Sequence, residues 1–176
     1  METKRVTDIM MYLDEYPAII NTATLRDAIE LMNDFQIDFN GQKSLPRILL
    51  VMDKEDHIVG LVRRRDIVRG LLPDFIKGRQ LEYRKKLFDV KVDPHLLELS
   101  FEKLTKNIKT RAETPISEVV TADIITVDYD AHLLTAIHKM VQNDITLLPV
   151  MNKGKVVGIV RSVDVFNEIA KIILKK

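Results

Sequence analysis

Two stretches of this chain carry the same residue types in the same order, so the chain folds as two units answering to one pattern. Val6-Thr7-Asp8-Ile9-Met10 returns 110 residues on as Ile116-Ser117-Glu118-Val119-Val120. Leu25, Ala28, Ile29 and Met32 return 108 residues on as Leu133, Ala136, Ile137 and Met140. Their i, i+3, i+4, i+7 spacing puts four apolar groups on one helical face. Thr22 and Asp130, three residues before each first leucine, are the expected helix caps. Ile58-Val59-Gly60-Leu61-Val62-Arg63 returns 98 residues on as Val156-Val157-Gly158-Ile159-Val160-Arg161. Asp66 and Asp164 each follow the arginine by three residues and lead into an apolar helix. The spacing shrinks from 110 to 98, so the first repeat is the longer one, with most of its extra residues between Phe35 and Pro46.

Each repeat predicts a short helix, a strand, an amphipathic helix, a strand, a turn, a strand and a helix. In the second repeat Leu147 to Met151 and Val156 to Val160 flank Asn152-Lys153-Gly154-Lys155, a tight-hairpin signal. Asp53-Lys54-Glu55-Asp56 stands in that place in the first repeat. Strands that are almost continuously apolar belong to sheets covered on both faces. The expected class is therefore α/β (α+β), with two pseudo-symmetric repeats over residues 1–72 and 114–176 and a helical insertion over 73–113. In the insertion, Asp93-Pro94 predicts a cap followed by proline at the first helical position. Leu97, Phe101, Leu104 and Ile108 form an apolar stripe, expected to be buried against the module or a second chain. Arg84-Lys85-Lys86 is a basic run with two readings, a solvated helix face or an arm for a partner or nucleic acid.

Charge and composition narrow the function. A net charge of +1 gives the nucleic-acid reading little support and does not point to an anionic membrane. No apolar stretch approaches the roughly 20 residues needed to cross a bilayer. Met1-Glu2-Thr3-Lys4-Arg5 lacks the apolar core of a signal peptide, so a cytosolic location is expected. The absence of cysteine excludes disulfides and thiolate metal sites. His57, His95, His132 and His138 form no H-x-x-x-H pair, and G-x-S-x-G, P-loop and G-x-G-x-x-G motifs are missing. These absences predict a chain that is not an enzyme. The apolar run Ile169 to Leu174 exceeds what a small core covers, which predicts a homodimer.

The ordered set of motifs, present twice, resembles the cystathionine-β-synthase (CBS) domain. That family opens with a V-x-D-I-M-like segment, continues with an L-x-x-A-h-x-x-M helix and an L-P-V strand, and closes with G-h-h-T-x-x-D-h. The second repeat matches through Leu133, Ala136, Ile137, Met140, Leu148-Pro149-Val150, Gly158-Ile159-Val160 and Asp164. The first matches through Val6, Asp8-Ile9-Met10, Leu25, Ala28, Met32, Gly60-Leu61-Val62 and Asp66. The resemblance implies a pair of repeats packed through their sheets, often paired again as a dimer. It implies clefts that take an adenine nucleotide (AMP, ADP or ATP) or S-adenosylmethionine, whose occupancy regulates a partner protein. A metal ion is a third ligand class.

Carried onto this sequence, the resemblance assigns Ile125, Thr146, Leu148 and Pro149 to the base and Asp164 to ribose in the second repeat, with Ile20, Leu50 and Asp66 in the first. The family's phosphate-binding hydroxyl position is Arg63 in one repeat and Arg161 in the other. An arginine there either binds phosphate, blocks the cleft, or pairs with Asp66 or Asp164 as a structural ion pair. The aspartates have a ligand-free role too, stabilising a helix start. The second repeat keeps the proline of L-P-V and is the better candidate site; the first has Leu50 there and an inserted loop before it. The other function left open is a dimerisation or interaction scaffold whose clefts are closed by arginine.

Overall fold

The computed structural model describes residues 4–72 and 94–174. The first repeat contains β1 (Met11–Tyr12), β2 (Ala18–Ile20), α1 (Leu25–Asp34), β3 (Ile37–Phe39), β4 (Gln42–Ser44), β5 (Ile48–Met52), β6 (Ile58–Arg63) and α2 (Arg64–Leu71). The helix α3 (Pro94–Arg111) precedes the second repeat. That repeat contains β7 (Val127–Asp128), α4 (Leu133–Asn143), β8 (Leu147–Asn152), β9 (Lys155–Arg161) and α5 (Ser162–Leu174). The α/β class and the two repeats are as the sequence predicts. Asp93 and Arg84-Lys85-Lys86 lie outside the described residues.

In each repeat a strand lies parallel to its neighbour, and that neighbour lies antiparallel to a third strand. Ile19 pairs with Val51, and Val127 pairs with Val150, in the parallel ladders. Ile48 pairs with Arg63, and Leu147 with Arg161, in the antiparallel ones. The β8–β9 turn places Lys153 and Gly154 at φ 48° and 80°, as a two-residue hairpin requires. Leu25, Ala28 and Met32 are buried, as are Leu133, Ala136 and Met140. Ile29, on the flank of its stripe, is exposed. The α1 cap is Thr24 rather than Thr22: its hydroxyl accepts from Asp27 N, and the Asp27 carboxylate accepts from Thr24 N at 2.8 Å. His132, not Asp130, stands at the α4 cap and makes no side-chain cap bond. A capping side chain must reach back over the first turn, and residues two positions further out do not.

The opening segments cross over. Val6, Ile9 and Met10 pack into the core of the second repeat with Val127, Leu133 and Leu148. Ile116, Val119 and Val120 pack into the core of the first with Leu25, Leu49 and Val62. Backbone bonds match in pairs: Val6 N donates to Ala131 O as Ile116 N does to Ala23 O, and Leu133 N to Lys4 O as Leu25 N does to Thr114 O. β1 adds to the edge of β9, while Thr121 bridges Leu61 on β6. The glycine of each G-h-h motif makes this approach available. A Cβ on Gly60 would collide with Val120 and lie 2.8 Å from Thr121 O; one on Gly158 would collide with Met11 O. A third core joins the two sheets through Met11, Tyr16, Ile48, Leu50, Leu147 and Ile159.

The extra residues of the first repeat form a hairpin, β3–β4, turned at Asn40 (φ 54°) and Gly41 (φ 76°). Along α3 the expected burial is not met within the chain: Phe101 is 69 % exposed, and Leu104 and Ile108 are half-buried. The helix is tied down at its C-terminal end, where Arg111 donates to Gly70 O and Ala112 is buried. The Leu97 side chain is outside the described set. Among the described residues no helix is long and apolar enough to cross a membrane.

Candidate functional site

Two clefts flank the seam between the sheets, and the pseudo-twofold axis relates their walls. Arg63 and Arg64 on one side correspond to Arg161 and Ser162 on the other. The backbone fixes this equivalence: Arg64 N donates to Arg47 O, and Ser162 N donates to Thr146 O. The clefts differ in what fills them.

The first cleft has a volume of about 580 Å³ and draws walls from both repeats. Arg47, Arg63, Arg64 and Arg65 line it together with Asp123 and Asp144. Ile48, Leu61, Ile125, Ile145 and Leu147 supply apolar surface, with Thr121 and Thr146 between them. Arg63 Nε donates to the Asp66 carboxylate at 3.0 Å, and an Nη2 hydrogen to Thr121 Oγ1 at 3.1 Å. Asp66 also accepts from Arg63 N at 3.1 Å, one turn into α2, and is buried. Its side chain thus ties the helix start to the arginine. A guanidinium has five N–H donors, so Arg63, a third exposed, keeps donors for a ligand.

The second cleft is smaller, about 360 Å³, and has an additional wall. Tyr16, Arg47, Ile48, Thr146, Leu147, Arg161 and Ser162 line it on the sheet side, and Ile37, Gln42, Lys43 and Ser44 of the hairpin close it. Arg161 is held bidentately by Asp164, with Nε and Nη2 each 2.7 Å from a carboxylate oxygen. Its guanidinium lies 5.5 Å from the centre of the Phe39 ring, and its side chain is only 12 % exposed. The hydroxyl of buried Tyr16 donates to Ile48 O at 2.6 Å. Burial holds that phenol well above its ordinary range, partly offset by the nearby Arg161 charge.

The sequence-predicted residues divide between these places. Ile125 and Thr146 share the open cleft with Arg63. Arg161 lies in the closed one, paired with Asp164. Leu148 points into the helix-covered core with Met140 and Val160 and lines neither cleft. Strand parity explains this, since its neighbour Leu147 faces the seam. Pro149 and Leu50 are buried, with Leu50 in the core beneath the clefts. Ile20 pairs with Met52, at the opposite end of the sheet from the Ile48–Arg63 pair, so it does not meet Arg63 or Asp66. Arg47, Ile48, Leu61, Arg64, Arg65, Thr121, Asp123, Ile145 and Leu147 join the open cleft beyond the residues assigned from the motif. The Arg63-Arg64-Arg65 run was the available signal; Thr121 and Asp123 reach the cleft only because their segment crosses between repeats.

Residues 6–73 and 116–171 match the family model of the CBS domain. The chain therefore belongs to the CBS domain family, as a tandem pair. A CBS pair is a regulatory module. No curated protein sequence matches the chain. Solved structures share its fold. A Vibrio cholerae protein provisionally assigned to acetoin utilization (AcuB) is 24% identical with a TM-score of 0.61, over 97% of this chain and 93% of that one. CBSX2, solved in complex with AMP, is 19% identical with a TM-score of 0.61, over 96% of this chain and 98% of that one. A CBS domain-containing protein from Kribbella flavida is 14% identical with a TM-score of 0.68, over 96% and 99%.

Proposed function

We propose that the chain is a non-catalytic regulatory module that takes an adenine nucleotide in the cleft at Arg63 and passes on its occupancy through a second copy or a partner protein. One observation carries this reading: a cleft with an apolar side for a base also presents Arg63, Arg64 and Arg65 for phosphate. Its volume, like that of the smaller second cleft, falls within the roughly 300–1,000 Å³ of small-molecule sites, so the choice between the two rests on what lines each. Asp123 offers a carboxylate to the ribose diol. Four arginines against Asp123, Asp144 and the Asp66 that pairs with Arg63 and Arg65 leave a positive excess, which favours an anionic nucleotide over S-adenosylmethionine, whose sulfonium is cationic. The scaffold reading, with arginine closing the cleft, fits the second cleft, where Arg161 is locked.

Calorimetric titration with AMP, ATP, adenosine and S-adenosylmethionine tests the proposal. AMP binds, and Arg64→Ala with Arg65→Ala lowers its affinity about tenfold or more, since charge-assisted hydrogen bonds contribute roughly 1.5–3 kcal/mol. Adenosine is unaffected by the same pair of changes. AMP binding that survives both substitutions would place the phosphate elsewhere, and no binding by any of the four would favour the scaffold.

A homodimer forms part of the same proposal. Val163, Phe166 and Ile173 on α5 and Leu134 and Val141 on α4 are exposed apolar side chains. Apolar surface of this kind marks an interface. Light scattering at high micromolar concentration is expected to give twice the chain mass. A monomer, or an unchanged dimer in Phe166→Glu, would contradict this placement.

A further inference from the structure

We infer that the β3–β4 hairpin is a built-in occupant of the second cleft, so that the chain keeps one ligand site where its symmetry provides two. The site count rests on the nucleotide reading above; the closure itself does not.

Register makes the comparison like for like. Leu61 opposite Thr121 in the first cleft corresponds to Ile159 opposite Met11 in the second. Leu61 and Thr121 are partly exposed and line open space. Ile159 and Met11 are fully buried, in one cluster with Ile37 of the hairpin. Ile37 is 2% exposed and Phe39 packs against the same cluster. The hairpin is also held at its far side, where Asn167 of α5 donates to Gln42 Oε1 at 3.2 Å. The Arg161 guanidinium lies over the Phe39 ring while Asp164 takes two of its N–H groups. Both groups that a ligand would need, the apolar pocket and the guanidinium, are thereby engaged from within the chain. Among the described residues nothing comparable lies over Arg63, and the second repeat has no counterpart of the Phe35 to Pro46 insertion.

The test shortens the hairpin without touching Ile37. Ile37 and Ser44 are directly paired, so a two-residue link closes them, and Asp38–Lys43 is replaced by Asn-Gly. Phe39→Ala is the milder second variant. The native chain has no cysteine, so a single Ser162→Cys reports the second cleft and Arg64→Cys reports the equivalent position in the first. In the full-length protein maleimide labelling at 162 is expected to be about tenfold slower than at 64. Shortening the hairpin brings the two rates together, and Phe39→Ala moves them part of the way. AMP titration gives one site per chain in the native protein and two in the shortened one, and Asp164→Ala removes only the new site. Equal labelling at both positions in the native protein, or no acceleration in either variant, overturns the closure. Two AMP sites in the native protein overturn the site count. Accelerated labelling with no AMP bound by any variant upholds the closure and sinks the nucleotide reading.

Discussion

Arg63 and Arg161 show how little a residue's identity settles before its neighbours are known. Each ends the equivalent strand of its repeat and each meets an aspartate three residues on, yet Arg63 borders an open cleft and Arg161 is sealed between Asp164 and Phe39. Removing one partner of a buried ion pair leaves the other charge uncompensated, at a cost of about 3–5 kcal/mol. Arg161→Ala is expected to lose about that much in urea melts, and Arg161→Met with Asp164→Leu to recover most of it. An Arg161→Ala protein as stable as the parent would show that the pair is idle. Glu168 is a buried carboxylate as well, like Asp66 and Asp164, bonded to Lys171 at 2.6 Å and to Lys4. The two ammonium groups hold its carboxyl below the usual range, Lys171 contributing first. A depressed folded-state pKa stabilises above the unfolded value, about 4.3, and that stability is lost as pH falls through the folded one. Stability of the native chain should therefore fall more steeply below about pH 4.3 than that of Glu168→Gln; parallel curves would contradict the linkage. The recurrence of arginine and aspartate was legible in the sequence. Which arginine would be covered was not, because Phe39 approaches from a segment more than a hundred residues away in the chain.

Elements were more legible than their partners. Helices α1 and α4 follow from their leucine, alanine and methionine spacing, because the period of an amphipathic helix is local information. The capping box Thr24-x-x-Asp27 was equally local and supplies the start that the more distant Thr22 does not. Asn40-Gly41 carries the two-residue turn signal of β3–β4, but no local pattern says that the hairpin docks on the other repeat's cleft. The crossing of the opening segments was hidden for the same reason, since two-residue β1 has no pattern that chooses between sheets. The glycines hold the evidence for it. Gly158→Ala puts a methyl group against Met11 O, and overpacking of this kind costs typically 1–3 kcal/mol. The expected outcome is a loss in that range, with faster amide exchange in the opening segment. Full stability in Gly158→Ala would show that the segment yields without cost.

At the scale of the whole molecule, a duplicated pattern has produced two unequal clefts. Crossed opening segments bind the repeats into one body, so a ligand in the Arg63 cleft touches both repeats at once through Arg63 on one side and Ile125 and Thr146 on the other. Occupancy can bias the arrangement of the repeats only if the ligand favours one arrangement over another, and a site lined by both repeats is where such a preference would act. On the reading proposed above, the hairpin removes the second such site and leaves the module with one input. The most direct measurement is a crystal structure of the full chain grown with AMP. The account predicts a single nucleotide, its phosphate against Arg64 and Arg65 and its base near Ile125 and Ile145, with the hairpin still seated on Arg161. A nucleotide held at Arg161 and Asp164 with the hairpin displaced would contradict it.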